Sequence, residues 1–292
     1  MNKGYIKIAL AFLSVAGCMQ NIAFASEHAL STNSLNKESK QQLFIDPEED
    51  KQQLFIDPEE AKQAADVMAD ALAIAQEHAQ ISEDYKLYSK NGDGATLYFK
   101  KINETDIGKL DFIVSNPDSY DDIISMLLDP NGPKKIYNTF VDGHVSRIYD
   151  PNLLIIRRQY KSNIIGLQRY CYALVNKVEL SDDETAIIMV SSDTNDRDSK
   201  DYEIHLNPIV ESANFFKPDI DPLEDIRNAN VPKMHVNLAA FFIKKEADCI
   251  KITIISSIDY NAPSYISQIA LRKIASTNFL QATKLRDIFK KE

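Results

Sequence analysis

From Val236 onward the apolar positions fall into two strand-length runs followed by one long helical pattern. Val236 to Ile243 predicts a strand, Lys244-Lys245-Glu246-Ala247-Asp248 a polar turn, and Cys249 to Ile258 a second strand. The turn Asp259-Tyr260-Asn261-Ala262-Pro263 then leads into a helix running almost to Glu292, with Pro263 in its first turn. A hairpin that feeds a long helix must lay that helix across the sheet, because neither element buries its apolar face alone. A curved sheet gripping one helix commonly encloses a cavity. The pattern therefore points to a container for an apolar ligand rather than to an active site.

Upstream, Asp57, Pro58 and Glu60 read as the N-cap, first position and capping-box residue of a helix over roughly 58–80, with Ala61, Ala64, Ala65, Met68, Leu72 and Ala75 at helical spacing. Tyr85 to Tyr88 and Ala95 to Ile102 flank Asn91-Gly92-Asp93-Gly94, a hairpin signal. Asn116-Pro117 opens a helix through Leu128, stopped by Asp129-Pro130-Asn131-Gly132, and 133–139 forms a further short turn. Val145–Tyr149, Leu153–Tyr160, Gly166–Leu180, Thr185–Ser191 and Tyr202–Val210 read as strands, with a charged loop at Asp193–Asp201 and a short helix capped by Asp221-Pro222-Leu223-Glu224. Helix, strands, helices, many strands and a long helix make an α+β domain, residues 58–292, around a largely antiparallel sheet.

The N-terminus reads differently. Lys3 and Lys7, an apolar stretch from Ile8 to Ala16 and the Ala23-Phe24-Ala25 cleavage signal make residues 1–25 a signal peptide, with the mature chain starting at Ser26 and secreted. Residues 26–57 form a polar flexible linker. Within it Lys40–Glu49 recurs as Lys51–Glu60 with Asp50 between, an 11-residue tandem repeat read as a recent duplication in tolerant sequence. Cleavage removes two lysines and no acid, taking the net charge from −10 to −12. An acidic chain lacks the basic surface that nucleic acid requires, and any contact with anionic membrane is expected to be transient. Of three cysteines, Cys171 and Cys249 remain after cleavage, either bonded or as buried thiols.

Alternate strand positions supply the candidate cavity wall: Leu153 and Ile155, Tyr172 and Leu174, Leu238 and Ala240, Ile252 and Ile254. The opposite alternation fits equally well, since a shift of one residue exchanges the faces. Arg157, Arg158 and Arg169 lie in or beside apolar strands, where an inward arginine would pair with an acid or grip a phosphate, and an outward one would be solvated. Tyrosines at 149, 160, 170, 172 and 260 are available to a choline group. Tyr265 and Ile269 lead the apolar positions of the last helix, which spread wider than one stripe and suit a lid. No hydrolase, zinc or phosphate-loop motif occurs. Asp193 to Asp198 lacks the glycine of a calcium loop, and Asn103-Glu104-Thr105 is a glycosylation sequon. The expectation is a non-enzyme with no cofactor and no metal.

Several segments resemble the fam-a family of rodent malaria parasites. They are the leader from Met1 to Lys7, the Ala-Phe-Ala-Ser-Glu-His junction, Ile204–Phe216, Pro218-Asp219-Ile220-Asp221, Glu224-Asp225-Ile226-Arg227 and Met234-His235-Val236-Asn237-Leu238. That family is similar to START (StAR-related lipid transfer) domains, and the resemblance covers roughly Ala61 to Glu292. It implies a helix-grip fold, a curved antiparallel sheet packed on a long C-terminal helix with an internal lipid cavity. Ser257-Ile258-Asp259 before Pro263 looks like the START turn into that helix. The absence of Trp, and Tyr260 and Asn261 where glycines are expected, depart from the pattern. The resemblance further implies a monomer that carries a phosphatidylcholine-like phospholipid, secreted or exported to the parasitophorous vacuole or the host erythrocyte cytoplasm. The rival expectation is a host-interaction protein on the same scaffold without lipid turnover.

Overall fold

The computed structural model describes residues 57–80, 82–161, 168–196, 205–220 and 231–291. The expected leader, the first copy of the tandem repeat with residues 51–56 of the second, and the helix at 221–224 lie outside them. Nine strands are described: β1 (Lys86–Lys90), β2 (Thr96–Ile102), β3 (Thr105–Val114), β4 (Phe140–Asp150), β5 (Leu153–Lys161), β6 (Gln168–Ser181), β7 (Glu184–Val190), β8 (His235–Lys245) and β9 (Ile250–Asp259). They form one antiparallel sheet in the order β1-β2-β3-β9-β8-β7-β6-β5-β4. The N-terminal hairpin therefore joins the C-terminal one directly through β3 and β9. Three register shifts in the β4–β5 pairing and one at Val236/Leu238 bend the strands, as bulges do.

Helix α1 (Pro58–Ala79) is capped by Asp57, whose side chain accepts from the Glu59 amide. Its buried side, Ala64, Val67, Met68, Ala71 and Ala75, is dominated by small residues that let the helix lie close on one face of the sheet. Glu60 does not turn back to the cap. It accepts from Arg147 and Tyr149 of β4 and so ties the helix to the sheet edge. The opposite face carries α2 (Tyr120–Leu128) and two C-terminal helices, α3 (Gln268–Ala282) and α4 (Leu285–Ile288).

Three further expectations are corrected, and the alternative left open for the cysteines is settled. The last helix starts at Gln268, not Pro263, because the Ser267 side chain caps it by accepting from the Ala270 amide; it breaks after Ala282. Strand β3 was not anticipated. Its apolar positions Ile107, Leu110, Phe112 and Val114 divide between the two faces around a buried Lys109, which blurs the alternation. Residues 205–210 are not a strand, since the Asn207 side chain accepts from the Ile209 and Val210 amides and folds the segment into a turn. Cys171 and Cys249 are both free thiols.

Candidate functional site

Between the sheet and α3 lies a cavity of about 760 Å³. Its floor is built from alternate residues of the central strands: Met189 of β7, Val236, Ala239 and Phe241 of β8, and Ile254 of β9. Leu271, Ile274, Ala275 and Asn278 of α3 form the roof. Only Ser276, Phe279 and Ala282 of that helix are fully buried, because its inward face looks onto open space rather than onto packed side chains. The Phe279 ring closes the roof onto the sheet. Gly108 of β3 has no side chain, and the Phe279 ring occupies the room a Cβ would take. Phe279 also packs edge-to-face on Phe99 at 6.0 Å.

Two charged groups sit deep in the wall, Arg158 and Arg169, the latter 3 % exposed. Arg158 of β5 is 6 % exposed. Its guanidinium donates to the Leu127 carbonyl at 3.3 Å, lies 3.6 Å from the Met189 sulfur, and leaves Nε without a partner. No carboxylate among the described residues pairs with it. Tyr137, Thr139, Tyr160 and Cys171 line the same part of the wall. Burial pushes the hydroxyls of Tyr137 and Tyr260 up to about 12 and the Cys171 thiol up to about 11, so these groups stay neutral donors.

The rim is polar and self-paired. Arg272 of α3 grips Asp106 of β3 with two bonds, Nε at 2.8 Å and Nη2 at 2.5 Å. His205 bridges Asp259 at 3.4 Å and Asn237 at 3.1 Å, and its ring stacks on His235 at 3.8 Å. The β8 bulge turns Asn237 toward His205 and Ser257. Burial first, then the neighbouring His205, holds His235 down at about 3. Arg169 donates to the carbonyls of Tyr260 and Asn261, stapling the turn that enters α3.

The sequence candidates divide by face. Arg158 and Ile254 line the cavity, and Ile252 lies on the same side within the packed core. Leu153, Ile155, Tyr172, Leu174, Leu238 and Ala240 lie on the opposite face, in the core against α1. The alternation is displaced by one residue on β5, β6 and β8. Arg157 goes with them, bonded to Asp142 at 2.9 Å and Gln159 at 3.1 Å. Tyr265 and Ile269 precede or open α3 and are 78 % and 84 % exposed, so neither reaches the cavity. Of the cavity residues missed in sequence, Cys171 and Ala239 lie one position from the chosen Tyr172 and Ala240, Val236 reaches the cavity because the register shifts between it and Leu238, and Tyr137 and Thr139 precede β4 and carry no periodic signal.

A curved antiparallel sheet closed by a C-terminal helix over a cavity is the helix-grip fold of START domains. The chain superposes on human StAR-related lipid transfer protein 5 with a TM-score of 0.58 and 12% identity, covering 79% of this chain and 98% of that one. The lipid transfer and protein localization domain of human StarD13 (DLC2) gives a TM-score of 0.53 at 14% identity, covering 76% and 96%. A STAR-related lipid transfer protein fragment from Xanthomonas axonopodis gives 0.50 at 12%, covering 72% and 100%. No family model and no curated protein matches the chain.

Proposed function

We propose that this protein binds a lipid in the cavity beneath α3 and transfers it between membranes, and that it does so as a secreted or exported monomer of the fam-a type. The observation that carries the reading is an apolar cavity of about 760 Å³ with two buried arginines in its wall, of which Arg158 has no carboxylate partner among the described residues. Lipid chains gain about 0.8 kcal/mol for each CH₂ taken out of water, and the floor of Met189, Val236, Phe241 and Ile254 offers that burial without chemistry. A phosphatidylcholine-like phospholipid, as the family resemblance implies, would meet Arg158 through its phosphate. Transfer requires contact with a membrane long enough for cargo to leave, and a START domain in the vacuole or host cell would work between the membranes there.

The test is to purify the protein without detergent and weigh it by native mass spectrometry. A stoichiometric lipid adduct is the expected result. A protein that stays empty, even after incubation with phosphatidylcholine vesicles, would overturn the carrier reading in favour of a host-interaction scaffold.

A further inference from the structure

We propose that the protein docks on an anionic bilayer through a lysine patch on the β4–β5 side of the cavity rim, Lys134, Lys135, Lys161 and Lys284, so that surface charge selects the membrane with which cargo is exchanged. The inference rests on the carrier reading and adds the docking face and the lipid chemistry of its partner. The patch is contiguous. Lys284, just after α3, donates to the Ile136 carbonyl at 2.9 Å and to Asn138 Oδ1 at 3.0 Å, beside Lys134 and Lys135 in the chain. The Asn138 amide donates to Gln281 Oε1 of α3 at 3.2 Å, and the Lys161 amide to the Thr139 carbonyl at 2.7 Å. Tyr137, Thr139, Lys161 and Gln281 line the cavity, so the patch belongs to its rim.

Charge is the second argument. Lys134, Lys135 and Lys161 are exposed, and Lys284 is bonded to neutral oxygens. Among the described residues no carboxylate pairs with any of the four. The acids at this end of the sheet are each met by a base. Glu104 is held by Lys101 at 3.0 Å, Asp106 by Arg272, Asp259 by His205 at 3.4 Å and Asp142 by Arg157 at 2.9 Å. The sign reverses at the other end of the strands. There the β6–β7 and β8–β9 turns expose Asp182, Asp183 and Asp248 without an ion-pair partner among the described residues, against Lys245 as the unpaired lysine of the two turns. A chain with a net charge of −10 is repelled as a whole by an anionic leaflet, and this distribution turns the cavity end toward it. Lysines that come within about 10 Å of such a surface, the Debye length at ~0.1 M salt, then hold the protein there. A neutral bilayer exerts no such pull.

The test measures flotation of the protein with vesicles of phosphatidylcholine alone or of phosphatidylcholine mixed with phosphatidylserine, and transfer of a fluorescent phosphatidylcholine between vesicles of each kind. Binding to the mixed vesicles and faster transfer between them are expected, and both should vanish in ~1 M salt, where the Debye length is about 3 Å. Lys134→Gln with Lys135→Gln is expected to weaken binding by about 30-fold. Lys135→Gln or Lys161→Gln alone, each expected to cost about fivefold, serves where the double variant does not fold. Lys86→Gln with Lys90→Gln makes the same change of charge on β1, at the opposite edge of the sheet, and should leave binding unchanged. Equal flotation with the two kinds of vesicle, or equal weakening by the two pairs of substitutions, would overturn the inference and leave the carrier reading standing. Retention on heparin without flotation would also overturn it, by assigning the lysines to a polyanion other than a membrane. Flotation with the mixed vesicles, but no transfer between vesicles of either kind and no lipid adduct, would overturn the carrier reading and leave the docking face in place.

Discussion

Gly108 is the position where one added carbon should be felt most. A Cβ there would lie 2.3 Å from Phe279 Cε2, 2.6 Å from Cζ and 3.0 Å from Phe99 Cε1. Carbon atoms rest about 3.5–4.0 Å apart, so the Phe279 ring must retreat by more than about 1 Å. The ring is 5 % exposed and set edge-to-face on Phe99, and moving it toward the cavity it borders gives up that packing. Overpacking of this kind costs about 1–3 kcal/mol. Two effects compete in Gly108→Ala. Replacing glycine in extended backbone stiffens the unfolded chain and stabilises by about 0.4–1 kcal/mol, and the clash acts the other way. The clash is expected to win by up to about 2.6 kcal/mol net, lowering Tm by up to roughly 10 °C at about 2–4 °C per kcal/mol for a domain of this size. Chemical denaturation should show a lower midpoint with an unchanged slope. Phe279→Leu removes the atoms the new methyl meets, so the double variant should be more stable than the two single changes added together, by about 0.5–3 kcal/mol. A Gly108→Ala protein as stable as the original, or strict additivity in that cycle, would refute the contact.

Three further outcomes are expected. His235 is held at about 3 by burial while an unfolded histidine titrates near 6.5, so between these values the unfolded state binds a proton that the folded state does not. Stability is then full above about pH 6.5 and falls by about 2 kcal/mol from pH 7 to pH 5, a slope that His235→Asn should flatten in denaturation at the two pH values. Glu60→Gln should cost about 1–3 kcal/mol by weakening the clamp on Arg147 and Tyr149, and raise hydrogen exchange in α1 before the rest of the domain. Asp106→Asn removes a rim ion pair whose arginine is 40 % exposed, so stability should change by only about 0–1 kcal/mol; vesicle-to-vesicle lipid transfer should still become faster, because the N-terminal half of α3 loses its tie to β3.

Most of the elements were legible because their boundaries are chemical. Asp57-Pro58 and Asp129-Pro130-Asn131-Gly132 punctuate helices in ways few other sequences do, and eight of the nine strands coincide with apolar runs. Strand faces were not legible, for a physical reason. On β5 the residues from Leu153 to Gln159 are buried without interruption, and on β8 those from His235 to Ile243 are too. A strand covered on both sides carries no polar-apolar alternation, so nothing in Leu-Leu-Ile-Ile or Leu-Ala-Ala-Phe-Phe distinguishes the face under α1 from the face under the cavity. Strand β9 keeps an exposed Lys251 between its buried Ile250 and Ile252, and on that strand the alternation is legible, with Ile252 and Ile254 on one side.

The same reasoning explains why the lid looked ambiguous. A helix packed on a full core shows a stripe of apolar residues about a third of its circumference wide. Helix α3 has two half-stripes instead. Phe279 and Ala282, with Leu285 at the start of α4, pack as core residues do, whereas Leu271, Ile274 and Ala275 face the cavity and remain partly accessible. Its first turn has Ile269 outward. Such a helix is anchored at one end and suspended at the other, and the suspended end is held by Arg272–Asp106 and its cap rather than by packing. An apolar but poorly striped helix next to strands buried on both faces is therefore the sequence trace of a cavity. The charge inside it, Arg158, differs from its neighbour Arg157 by one position along a strand and by the whole thickness of the sheet. That displacement separates an arginine with the Asp142 carboxylate at 2.9 Å from one with no carboxylate partner among the described residues.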